Sequence, residues 1–171
     1  MDNLKQTTEA SASYLRNFVF GVEDSLVSTV GLLSGIAITG MPRSSIFVAG
    51  IVLIFVEAFS MAVGSFLSER AAMEYAKKIE SSYYDSVIDG FIMFVSYFFS
   101  GFIPIFPYMV FGVEKAFWFS ILLSLIALFA LGVIGAKISG RNIFKGGFRM
   151  ASIGGIAIVL GVTVGRIVNN F

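Results

Sequence analysis

The stretch SIFVAGIVLIFVEAFSMAVGSFL, residues 45–67, decides the fold, because its 23 residues carry a single charge, Glu57. A run of that length matches the ~20 residues a helix needs to cross a hydrocarbon core about 30 Å thick. Its apolar positions are continuous rather than alternating, which argues against a barrel strand, and a spanning backbone must satisfy its own hydrogen bonds. Comparable runs lie on either side, at about residues 18–40, 87–111, 115–136 and 149–169. The sequence therefore predicts an all-α, polytopic membrane protein with five transmembrane helices per subunit. Between the third and fourth runs only Gly112, Glu114 and Lys115 break the pattern, so those two helices are expected to form a tight hairpin. Residues 1–13 read as a cytosolic tail and 14–171 as one transmembrane domain, with 68–86 a short cytosolic helical extension.

The composition agrees with the lipid assignment. Of 171 residues, 57% are hydrophobic and 13% charged, against roughly 25% charged in soluble domains, and the mean hydropathy is +0.88. A net charge of +1 with scattered Lys and Arg offers no basic patch for nucleic acid. Cys and His are both absent, which removes disulfides, thiolate metal sites and the commonest transition-metal ligand. A cation site in this chain has to be made from carboxylates, Met sulfur, hydroxyls and backbone carbonyls. The opening segment, with Asp2, Lys5 and Glu9, lacks the basic start of a secretory signal.

Orientation follows from the basic residues, which short cytoplasmic segments retain. Lys5, Arg16, Arg70, Lys77, Lys78, Lys137, Arg141, Lys145 and Arg149 belong to one side, and Arg43, Lys115 and Arg166 to the other. With five spans, this bias predicts a cytosolic N-terminus and a C-terminus outside the cytosol. Gly31 and Gly35, like Gly161 and Gly165, are four apart, the spacing that lets helix backbones approach closely. The tetrapeptide Gly-Ile-Ala-Ile recurs at residues 35–38 and 155–158, too short a match to establish an internal repeat.

Acids inside the spans are the candidate functional residues. A charge at bilayer depth costs about 2.5–3.5 kcal/mol or more, so it normally faces a cavity or a partner. The first span carries Glu23 and Asp24, and Asp24 shares its face with Gly21, Ser28 and Gly31. In the second span Glu57 is followed on one face by Met61, Gly64 and Ser68; a carboxylate one turn from a thioether suits borderline divalent ions better than Mg or Ca. The third places Asp89, Met93, Ser96 and Ser100 on one face before Pro104 and Pro107, each of which frees the carbonyl four residues earlier. Ser28, Ser100, Pro104, Asp89 and Met93 are therefore candidates to line a translocation path. Glu69, Met73 and Glu80 in the second loop are candidates for metal entry, although Glu74 and Lys78 there form an ordinary i,i+4 pair. Arg149 reads as an interface anchor. No phosphate-binding Gly-Lys-Ser loop, nucleophile elbow, zinc protease motif or dinucleotide fingerprint occurs, so neither a nucleotide-driven pump nor a conventional hydrolase has support.

Three of these segments, in order, resemble motifs of the vacuolar iron transporter family, which includes the nodulin-like membrane proteins. Gly21-Val-Glu-Asp-Ser-Leu-Val-Ser-Thr resembles the family's Gly-x-x-Asp-Gly-Leu-Val. Glu57-Ala-Phe-Ser-Met-Ala-Val-Gly-Ser is similar to its Ser-Met-Ala-x-Gly-Glu, and Ser100-Gly-Phe-Ile-Pro-Ile-Phe-Pro-Tyr to its Gly-x-x-x-Pro-Leu-x-Pro-Tyr. The resemblance implies a homodimer of five-helix subunits that exports Fe2+, often with Mn2+, from the cytosol in exchange for protons, with no cofactor. By motif match, Asp24 and Met61 carry over as metal ligands. Ser25 stands where the family has glycine and Ser65 where it has glutamate, so a carboxylate is missing, for which Glu57 is the candidate substitute. The family's long Glu- and Met-rich metal-binding domain between the second and third helices is reduced here to a short loop.

The expected membrane is the plasma membrane in a prokaryote, or a vacuolar or other organelle membrane in a eukaryote. Two further readings stay open on these residues. One is a cation channel or uniporter without proton coupling, and the other a non-transporting scaffold whose acids only join helices.

Overall fold

The computed structural model describes residues 2–75 and 83–170, with side chains from Ala10 onward. Five helices follow one another: α1 (Asp2–Ala37), α2 (Arg43–Tyr75), α3 (Tyr83–Val110), α4 (Val113–Ile138) and α5 (Ile143–Asn169). All five are long and apolar enough to cross a membrane. The α3–α4 connection is the expected tight turn at Phe111 and Gly112.

The helices overrun the apolar stretches, most of all at one end of the bundle. The segment expected as a tail is helical and continuous with α1, since no Pro or Gly interrupts the chain before Gly21. Its 36 residues make a rod of about 54 Å at 1.5 Å per residue, well beyond a ~30 Å hydrocarbon core. At the same end α2 runs on to Tyr75, and α5 starts six residues before the expected 149 because the Asn142 side chain caps it, accepting from the Lys145 N–H at 3.1 Å. The turn before this cap needs Gly140, whose φ of 63° lies in the left-handed region.

Packing follows the small residues. Gly31 and Gly35 of α1 cross Gly161 and Gly165 of α5: a Cβ on Gly161 would meet the Gly31 carbonyl oxygen, and one on Gly165 the Gly35 carbonyl oxygen. The two four-residue spacings seen in the sequence thus belong to a single crossing. On the other side of α1, the Ser25 hydroxyl donates to the Tyr97 carbonyl at 2.6 Å and lies where a Cβ on Gly101 would come within 2.8 Å. The half of the bundle that holds the α1–α2 and α3–α4 turns is filled by an apolar cluster including Leu33, Ile46, Ile54, Ile105, Tyr108 and Ala116, with Phe47, Phe102 and Phe117 packed on it. Rings such as Phe55, Phe59, Phe99 and Trp118 point outward, as expected of a surface whose solvent is lipid.

Candidate functional site

At the opposite end the helices diverge around a cavity of about 1260 Å³. Its wall is made by the first half of α1, the second half of α2, the end of α4 and the start of α5, with Met93 contributed by α3. Glu23 and Met61 line it, as do Glu69 and Arg16, which are joined by an ion pair of 3.1 Å.

Asp24 lies beside this cavity rather than in its wall. It is half-buried, and its carboxylate is within electrostatic range of Glu57 on α2; both act on the Tyr97 hydroxyl of α3. That hydroxyl and Ser28 share a hydrogen bond of 2.8 Å. Acids from two helices and hydroxyls from two helices are thus within electrostatic range of one another. Glu23, on the next position of α1, faces Arg149 from α5 and also feels Asp24.

Asp89 occupies a second buried cluster. It is 1% exposed and accepts from Ser13 Oγ at 2.8 Å and Asn17 Nδ2 at 2.7 Å, while Asn17 Oδ1 accepts from Ser65 Oγ at 2.9 Å. Asn17 and Ser65 both line the cavity, so a carboxylate from α3 is linked through one amide to the position where the family pattern has its glutamate. Next to it Tyr14 donates to Asp85 at 3.1 Å.

The remaining candidates lie elsewhere. Met93 is buried at the inner cavity wall. Ser100 is buried and donates to the Ser96 carbonyl at 2.6 Å. Pro104 is buried, and its carbonyl accepts from Ser120 of α4 at 2.7 Å, so the proline segment is braced against α4 and takes no part in the cavity wall. Met73 accepts a long contact of 3.7 Å from Ser86 Oγ, outside the cavity. Glu80 and Lys78 fall outside the described residues. Among the described residues no three acids come close enough together to hold a metal ion, so a cation here draws on thioether, amide, hydroxyl or carbonyl groups as well.

Asn17, Tyr97, Arg141 and Lys145 are the site residues that sequence reasoning did not single out. Asn17 had a usable signal: it lies seven residues before Asp24 and four before Gly21, on the same polar stripe. Tyr97 had none, since its role depends on how α3 is rotated against α1.

A family model described as the VIT family matches residues 15–87 and 73–166. A search of curated proteins found no match.

Proposed function

The chain belongs to the VIT family, which makes it a membrane metal-ion transporter rather than an enzyme, and from that premise we propose that it exports a divalent cation, Fe2+ or Mn2+, from the cytosol in exchange for protons. The metal is substrate, and no cofactor is required. The observation that carries the reading is the contrast between the two ends of the bundle. One end opens into a cavity that reaches Glu23 and Met61 beside the Asp24 and Glu57 pair, and the other is filled by the apolar cluster around Ile54 and Ile105.

In this reading the basic, open end faces the cytosol, in keeping with the bias of Lys and Arg. The cation enters past Glu69 and is held by Asp24, Glu57 and Met61, with Glu23 at the approach. Carboxylates must release protons to bind a metal, so the two ions compete for one site. Such competition, at a site opening alternately to each side, is antiport. A one-sided cavity supports alternating access over an open channel. The exposed apolar faces suit the homodimer implied by the family, in a plasma membrane or an organelle membrane.

The test is flux into proteoliposomes of Fe2+ and Mn2+, each with and without an acidic lumen. The proposal expects uptake that requires the pH gradient and acidification of the outer medium as metal enters. Equal uptake without a gradient would replace it with the uniporter reading, and no uptake of either metal would refute transport of these ions.

A further inference from the structure

The cavity wall carries four cationic side chains, Arg16, Arg141, Lys145 and Arg149, against two carboxylates, Glu23 and Glu69. Arg16 is paired with Glu69 at 3.1 Å, and Arg149 lies within electrostatic range of Glu23. Arg141 and Lys145 have no ion-pair partner among the described residues. A passage for cations therefore has a net positive mouth, which a retained cation cannot relieve.

The bias of basic residues toward the cytosol accounts for Lys and Arg in this loop, but not for where they point. Arg141, Lys145 and Arg149 are spaced four apart and all line the cavity, while Phe144 and Phe148 do not and are 66% exposed each. Arg141, just before the Asn142 cap, and Lys145 and Arg149 in the first two turns of α5 thus place cations at the recess, at the end of a 27-residue helix whose dipole is positive there. Gly132, Gly135 and Gly146 line the same wall and leave it room.

We infer that this recess holds the phosphate group of an anionic membrane phospholipid, bound by Arg141 and Lys145 with the N-terminal end of α5, while the acyl chains run along Phe144 and Phe148. A free phosphate would satisfy the same cations, but the exposed rings of Phe144 and Phe148 give the recess an apolar flank that only a lipid's acyl chains would use. The bound phosphate offsets the positive mouth; only this consequence for cation entry rests on the transport reading, and the binding itself does not.

The experiment is native mass spectrometry of the full chain released from nanodiscs containing equal phosphatidylglycerol and phosphatidylcholine, with circular dichroism as a check on folding. The parent protein should retain phosphatidylglycerol adducts selectively. In the double variant Arg141→Gln/Lys145→Gln, affinity should drop about twenty-five-fold, taking roughly fivefold for each basic residue near an anionic headgroup. Lys137→Gln removes a neighbouring charge outside the cavity wall and should leave the adducts in place. Equal retention of the two lipids, unchanged adducts in the double variant, or equal loss in Lys137→Gln would each overturn the site. Displacement of the adducts by millimolar inorganic phosphate would overturn the lipid as ligand and assign a soluble anion.

Discussion

Asn17 on α1 donates its amide to the carboxylate of Asp89 on α3 at 2.7 Å, with both side chains nearly out of reach of solvent at 5% and 1% exposure. The bond orients the amide. Its nitrogen faces Asp89, so its oxygen is left to Ser65 at the cavity wall. Replacing Asn17 by Leu removes one of the two donors to the buried Asp89 carboxylate and the acceptor of the Ser65 hydroxyl, and should destabilise the fold by about 1–3 kcal/mol. Reversible unfolding in mixed micelles measures this; a loss under ~0.5 kcal/mol would mean that Asp89 finds another donor.

The crossing of α1 and α5 gives a contrast between two glycines on one helix. A Cβ on Gly161 would run into the Gly31 carbonyl, whereas one on Gly155 meets nothing within 4 Å. Gly161→Ala should therefore cost about 1–3 kcal/mol through forced separation of the helices. Gly155→Ala should be neutral or stabilise by up to about 1 kcal/mol through helix propensity. Thermal stability of the two variants side by side settles it, and equal effects would contradict the packing described.

Ser65 sits at the cavity wall in the position where the family pattern has glutamate. Restoring the acid with Ser65→Glu should tighten divalent cation binding by roughly tenfold or more, as expected of a further negative charge a few ångströms from the ion at an effective dielectric near 20. Isothermal titration with Mn2+ reads the change. An unaltered affinity would separate this wall from the cation path.

Metal binding should also weaken as pH falls. A carboxylate binds a cation only when deprotonated, so protons compete with the metal for the proposed site and affinity should rise with pH. Titrations with Mn2+ at a series of pH values test the sign; affinity independent of pH would argue against competition between metal and proton.

The membrane fold could be read from the sequence because its signal is long and redundant. A 23-residue run around Glu57 has no soluble explanation, and the four other runs repeat the message. The ends of the helices were harder to place, since α1 and α5 continue into polar segments where hydropathy is silent and only the Asn142 cap marks a boundary. In the candidate site, Asp24, Glu57 and Met61 stood out because charge and sulfur on an apolar face are costly or uncommon. Asn17, Tyr97 and the cavity-facing Lys145 did not, because a polar residue near a helix end is ordinary until the neighbouring helices show what it faces. The glycine spacings were visible, but not that Gly31 and Gly35 are the partners of Gly161 and Gly165.

In the proposed mechanism, acids from separate helices form one cation site within the membrane. Asp24→Asn keeps the size and hydrogen-bonding capacity of the side chain while removing its charge beside Glu57. Measured as Fe2+ uptake into proteoliposomes with an acidic lumen, this variant should fall to the level of protein-free vesicles. Uptake at the parent rate would contradict the account.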